Sequence, residues 1–108
     1  MWGSKPYDND SAADWFSNFM DKTELRKRWV KGINHDWEKE GQPEITRGAV
    51  WLFVQLGHVY VWPIGDYDKD LKLTLKKAQA LLKSELAEVE GIEEQLQDAI
   101  TALKARFK

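Results

Sequence analysis

Oxygen-bearing side chains cluster near the start of the sequence and are its best candidates for chemistry. The group consists of Asp8, Asn9, Asp10 and Asp14. Carboxylate and amide oxygens are the ligands that Mg²⁺ and Ca²⁺ prefer. The spacing matches no EF-hand loop, because the central glycine and the final glutamate of that pattern are missing. Turn formation and helix capping explain the same residue types, so we expect no metal and no cofactor.

The two histidines, His35 and His58, are a second candidate for chemistry. Imidazole titrates near neutral pH and binds zinc, so a histidine with the N-terminal aspartates would suit a small metal-dependent or acid–base enzyme. The sequence has no cysteine and no H-E-x-x-H, G-x-S-x-G or glycine-rich phosphate motif. We therefore interpret the chain as noncatalytic and keep such an enzyme as the alternative.

A basic cluster lies between positions 22 and 31. It contains Lys22, Arg26, Lys27, Arg28 and Lys31. With Trp29 among them, these cations suit phosphate contacts while the indole stacks on a base. The net charge of the chain is −2, however, and nucleic-acid modules are usually basic as a whole. We favour a buried Trp29, with the cations paired to the acidic segments 1–21 and 84–98, and expect no nucleic-acid partner.

Six tryptophans in 108 residues are a high number. A buried tryptophan removes on the order of 200 Å² from water, and short helices cannot hide all six, so one or two should be exposed. Exposed tryptophans beside arginines are typical of binding hot spots. The candidate binding residues are Trp2, Tyr7, Asn9, Asp10, Asp14, Trp15, Arg28 and Trp29. The expected partner is another protein or a second copy, as for an immunity- or inhibitor-like factor or a self-associating accessory protein.

Helical periodicity dominates the first half of the chain. Residues 1–9 contain glycine, proline and an Asp-Asn-Asp turn cluster, which predicts an irregular N-terminal arm. Trp15, Phe16 and Phe19 then give one aromatic face to a helix over about 11–20. A second helix is predicted over about 23–39, and the following Gly-Gln-Pro ends it.

The segment 44–62 fits two structures. Its apolar residues suit a buried helix over 44–57 followed by an extended 58–64, while β-branched and aromatic runs on either side of Gly57 suit a hairpin. An isolated two-stranded hairpin is marginal in water and the sequence has no third strand candidate, so we prefer the helix.

Residues 66–107 predict a helical hairpin. An apolar stripe runs from Leu71 to Val89 after an Asp cap at 66 or 68, and Gly91 separates it from a second stripe that reaches Phe107. Basic residues of the last turn, including Arg106, should complement the dipole of their own helix. The sequence thus predicts an all-α, single-domain bundle of about five helices. No apolar run is long enough to span a membrane, and no signal peptide is evident, so a cytoplasmic protein with no membrane partner is expected.

The N-terminal pattern Trp2-Gly3, Tyr7, Asn9-Asp10 and Asp14-Trp15 resembles the signature of a bacterial domain-of-unknown-function family, W-G-x-x-x-[FY]-x-N-D-x-A-x-D-W (family four-two-five-nine). The likeness is dense at the start and looser through the central and last helices. It implies an all-helical fold and no established activity. The chain departs from the family where the central helix often carries a glutamate, since apolar residues occupy that region here.

Overall fold

The computed structural model describes residues 10–58 and 61–107, and all regular structure in these two ranges is helical. The α-helices of this part are α1 (Asp10–Thr23), α2 (Leu25–Ile33), α3 (Trp37–Glu40), α4 (Pro43–Leu56), α5 (Tyr67–Leu82) and α6 (Ile92–Lys104). Two 3₁₀ turns, Ile64–Asp66 and Glu85–Glu88, precede α5 and α6. The predicted all-α bundle is confirmed. None of the described helices is both long and apolar enough to cross a bilayer.

Helix α4 resolves the choice between helix and hairpin. Pro43 occupies its first turn, where a missing backbone N–H costs no hydrogen bond, and Ala49, Val50 and Phe53 are buried along one side. The predicted helix over 44–57 is confirmed to within one residue at each end.

The segment after α4 differs from its prediction as an extended stretch. The amides of Val61 and Trp62 both donate to the His58 carbonyl, at 3.0 and 2.9 Å, which closes a turn. The 3₁₀ turn at Ile64–Asp66 then leads directly into α5. The described part of 58–64 is therefore turn rather than strand-like.

Two helices end earlier than their apolar patterns predict. The helix expected over 23–39 is split, because Asp36 accepts the Lys39 amide at 3.3 Å and starts α3 as a new turn. Helix α5 ends at Leu82, and Leu86 reaches the core from the second 3₁₀ turn instead of from a continuous helix. A side-chain cap at α3 and a 3₁₀ turn after α5 thus interrupt the helices, while Leu86 is still buried at its apolar position.

One hydrophobic core draws on every long helix of the described chain. At its centre Trp29, Phe53 and Trp62 form a triangle of rings, with centroids 4.9 to 5.6 Å apart. Two of the three contacts are edge-to-face, the arrangement that aromatic quadrupoles favour. This ring triangle joins α2, α4 and the turn before α5.

Arg106, just beyond α6, ties that helix to the end of α4. Its guanidinium donates to the carbonyls of Phe53, Val54 and Gly57 at 3.3, 2.5 and 3.0 Å. The last carbonyls of a helix lack intrahelical partners, so a cation there satisfies them and complements the helix dipole. The expected contact of Arg106 with its own helix is thus replaced by a contact with α4, 49 to 53 residues away.

Candidate docking surface

Two stacked aromatic rings stand exposed on α1. Trp15 is 60% exposed and Phe19, one turn later, is 43% exposed. Their ring centroids are 5.4 Å apart with the planes inclined by 21°, and Phe16 meets Trp15 edge-on at 5.1 Å. The helical spacing of the sequence produces this arrangement, since residues four apart lie on the same side of a helix. We call Trp15, Phe16 and Phe19 the α1 aromatic face.

Helix α1 is held to the molecule by few of its side chains. Among those that the structure describes on this helix, Met20 is buried, Phe16 is half-buried and the others are exposed. Trp15 and Phe19 therefore lie to one side of the anchoring residue, and Trp15 keeps more than half of its surface in solvent while Phe19 keeps somewhat less than half.

Asp14 and Asp21 lie on another side of α1, beside a small depression. Both carboxylate residues are exposed, and together with Met20 and the exposed Ile64 they line a hollow of about 210 Å³. The residues that precede α5 thus contribute an apolar side chain to the surface near α1.

The two candidate binding residues on α2, Arg28 and Trp29, lie in different environments. Arg28 is exposed at the border of a groove of about 390 Å³ between α2 and α4. Trp29 is only 4% exposed, and its indole N–H donates to the Ala49 carbonyl at 2.8 Å. The assignment of Trp29 as a binding residue is corrected accordingly, because burial in the ring triangle leaves almost no surface for a partner. Its expected place in the core is confirmed.

A buried polar network lies behind this surface. The carboxylate of Asp70, on α5, is 1% exposed and accepts bonds from Arg26 Nε at 2.8 Å and from a terminal guanidinium nitrogen at 3.0 Å. The indole N–H of Trp62 adds a third bond at 2.7 Å. Such a bidentate pair with an additional donor satisfies a buried carboxylate, which is costly when left unpaired.

Arg26 belongs to this network and not to an anion-binding surface. Its hydrogen bond to Asp70 raises the pKa of the guanidinium, desolvation opposes that shift, and the charges of Asp70 and Asp66 add to it. Asp66 lies 3.4 Å from Arg26 Nε. Arg26 thus pairs with α5 and its preceding turn, outside the two acidic segments expected from the sequence. With Arg26 paired and Trp29 buried, the basic cluster offers no stacked base site.

No group of three or more potential metal ligands comes together within residues 10–58 and 61–107. Both ring nitrogens of His35 have polar partners close by in sequence. Nε2 lies 2.7 Å from the Gly41 carbonyl oxygen, and Nδ1 lies 3.6 Å from a Glu40 carboxylate oxygen. Trp2, Tyr7, Asp8 and Asn9 lie outside the described residues, as does the side chain of Asp10.

A second exposed tryptophan was not among the predicted binding residues. Trp51, on α4, is 64% exposed and lines a groove of about 690 Å³ between α4 and α6. With Trp15 it brings the exposed tryptophans of the described chain to two, while Trp2, the remaining member of the six, lies outside the described residues. The sequence offered no signal that singled out Trp51, because the helical spacing of the apolar residues on α4 does not show which of them face the core.

No family model matches the chain, and searches of curated proteins and of solved structures also find no match. The resemblance of the N-terminal pattern to the bacterial domain-of-unknown-function family therefore stays a prediction.

Proposed function

We propose that the chain is a noncatalytic, cytoplasmic protein-binding module that docks onto a partner protein through the α1 aromatic face. The observation that carries the proposal is the exposed stack of Trp15 on Phe19. Two large rings held in fixed relative positions offer apolar area at little cost in conformational entropy, and tryptophan is enriched among binding hot spots.

The charges on the neighbouring side of α1 indicate the chemistry of the partner. Asp14 and Asp21 are exposed on that side, and Lys22 is the basic residue of the last turn of α1. An apolar cleft bordered by basic side chains would match the rings and these carboxylates, and complementary charge favours rapid encounter and correct orientation. An inhibitor- or immunity-like factor that covers a basic active-site cleft would use such a surface.

The predicted N-terminal arm, residues 1–9, is part of the proposed surface. Tyr7 precedes α1 by three positions, and an extended chain spans roughly 3.3 Å per residue, so Tyr7 and Asn9 are within reach of a partner seated on α1. Trp2 would contact the partner farther from the helix. In this proposal the arm and the α1 aromatic face bind as one unit.

The buried polar groups support a binding function over catalysis. Asp70, the buried carboxylate of the described chain, already accepts three hydrogen bonds from Arg26 and Trp62. A carboxylate held in this way stabilises the fold and has little capacity left for proton transfer to a substrate.

Affinity capture with matched variants tests the proposal. The purified chain serves as bait in a lysate of its native host beside a Trp15→Ala/Phe19→Ala variant and a Val89→Ala control, whose exposed apolar residue lies far from α1 in sequence. Each candidate partner is then produced alone and titrated against all three baits.

We expect one partner that binds the wild type and the Val89→Ala variant equally and the α1 double variant at least about tenfold more weakly, a loss of about 1.4 kcal/mol or more. A partner that binds all three baits equally would contradict the proposal. So would the absence of any partner that depends on the two rings.

A further inference from the structure

The solvent-facing side of α4 carries an exposed tryptophan ring next to a glycine that leaves open space. Trp51 is 64% exposed, and three positions earlier Gly48 is exposed too, with no atom within 4 Å of where a Cβ would stand apart from its chain neighbours and the nearby backbone of its own helix. Glycine inside a helix is unfavourable relative to alanine, so an open glycine with room for a side chain has no explanation in the packing of the single chain.

Gly48 lies on a ridge between two grooves. The larger groove, of about 690 Å³, separates α4 from α6, and its apolar lining includes Val50, Leu96 and Ala99. The smaller, of about 390 Å³, separates α2 from α4. The surface around Gly48 is thus three helices wide and has room beside the glycine for a large ring.

We propose that this surface binds a second copy of the same chain, in an antiparallel two-fold dimer in which each Trp51 lies over the partner's Gly48. We call it the α4 face and define it by Glu44, Arg47, Gly48, Trp51, Gln55 and Asp98. It uses residues other than the α1 aromatic face, so it does not depend on the function proposed above.

The order of residues along α4 makes the face complementary to itself in shape. Glu44, Gly48, Trp51 and Gln55 are spaced by four, three and four positions, which places them in one row on the helix. When a two-fold axis passes between Gly48 and Trp51, each Trp51 ring faces the partner's Gly48, and each Glu44 faces the partner's Gln55. An isologous interface needs this self-complementarity, because the same patch serves on both subunits.

The charges of the face are complementary under the same axis. Arg47 donates a hydrogen bond to Gln95, and Arg106 binds the end of α4, so α6 runs in the same direction as α4. Gln95 lies at the level of Arg47 along the helix axes. Asp98, about one turn further along α6, therefore lies closer to the level of Trp51. The axis that reverses α4 also places α6 against α6, which brings Arg47 close to the partner's Asp98.

The dimensions of the face suit a transient dimer. The 14 residues of α4 make it about 21 Å long, and three helices packed 8–10 Å apart make it roughly 20 Å wide. Two copies then bury roughly 850 Å² in total, a size typical of weak, transient contacts, so we expect a dissociation constant on the order of 10–100 µM.

Sedimentation equilibrium from about 1 µM to about 1 mM tests the dimer across its expected range. The wild type should pass from monomer to dimer. Gly48→Gln fills the gap with a good helix former, and Trp51→Ala removes the ring; each should raise the dissociation constant at least about tenfold while the chain stays folded by circular dichroism. Val89→Ala is the control and should dimerise as the wild type does.

A charge exchange tests the orientation of the two copies. Arg47→Glu and Asp98→Arg should each weaken the dimer, and the double variant should recover most of the lost affinity, because it restores the pair with the signs reversed. A double variant as weak as the sum of the two single ones would exclude the antiparallel arrangement.

A wild type that remains monomeric up to about 1 mM would overturn the proposal, as would a dimer that Gly48→Gln and Trp51→Ala leave intact. A segment of the chain itself seated on Trp51 would also overturn it. This would show as a Trp51 ring protected from solvent in the dilute monomer, read from ¹⁹F NMR of the 5-fluorotryptophan-labelled chain. None of these outcomes bears on partner capture through α1.

Discussion

Four tryptophans of the described chain occupy two contrasting environments. Trp29 and Trp62 meet Phe53 in the core, and both indole N–H groups have short hydrogen bonds, to the Ala49 carbonyl and to the Asp70 carboxylate. Trp15 and Trp51 keep more than half of their surface in solvent. The same residue type thus stabilises the fold where its polar atom is satisfied, and supplies binding surface where its ring is left uncovered.

The largest difference should appear when a ring is removed from each environment. Trp62→Ala empties a fully packed site and leaves Asp70 without one donor, so we expect a loss of about 4 kcal/mol in the free energy of unfolding. Trp51→Ala should change it by no more than about 0.5 kcal/mol. Urea denaturation followed by circular dichroism measures both changes. Equal losses in the free energy of unfolding would contradict the difference between the two environments.

The polar side of the core should be nearly as sensitive. Arg26→Met leaves the carboxylate of Asp70 with a single donor in a buried site, which should cost about 3 kcal/mol. Lys27→Met, an exposed neighbour on the same helix, is the matched control and should stay within about 0.5 kcal/mol of the wild type. If the two variants have the same stability, the network around Asp70 is not a structural element.

Substitutions at two glycines test the comparison with smaller expected changes in the free energy of unfolding. A Cβ on Gly57 would stand 2.5 Å from the Phe53 carbonyl oxygen and 2.7 Å from its ring, so Gly57→Ala should cost about 2 kcal/mol. Gly48→Ala adds a methyl group to open space on a helix and should stabilise the monomer by about 0.5–1 kcal/mol. Thermal unfolding at low protein concentration, where the chain is monomeric, should give shifts of opposite sign.

The smallest expected loss of stability concerns the contact between Arg106, just beyond α6, and the end of α4. Arg106→Leu removes three bonds to the end of α4 and should cost about 1.5 kcal/mol. Lys104→Leu, on an exposed position of α6, should leave the midpoint of urea unfolding nearly unchanged. An Arg106→Leu variant as stable as this control would show that the cap contributes nothing measurable.

Local pattern was enough to predict the helical class, the helix over 44–57 and the aromatic spacing of α1, because all three depend on residues within a few turns of one another. The pairing of Arg26 with Asp70 spans 44 positions, and no local periodicity encodes it. The early end of α5 was also missed, since Leu86 keeps the apolar spacing of a helix while burying itself from a 3₁₀ turn.

The candidate surface was predicted in part. Trp15 and Asp14 lie on the exposed surface of α1, where the sequence suggested a binding role, whereas Trp29 was also proposed for binding and is buried. Composition shows that some tryptophan must be exposed but not which one, because the choice depends on how the helices pack. Trp51 was not predicted as a binding residue for that reason.

The accessibility of Trp15 relative to Trp62 tests the contrast between the two environments most directly. In the chain labelled with 5-fluorotryptophan, ¹⁹F resonances assigned by Trp→Phe substitution are measured while a neutral paramagnetic co-solute is added. We expect the Trp15 resonance to broaden severalfold more than that of Trp62, and to lose that sensitivity once the partner of the α1 aromatic face is bound. Equal broadening of the two resonances in the free chain would contradict the account.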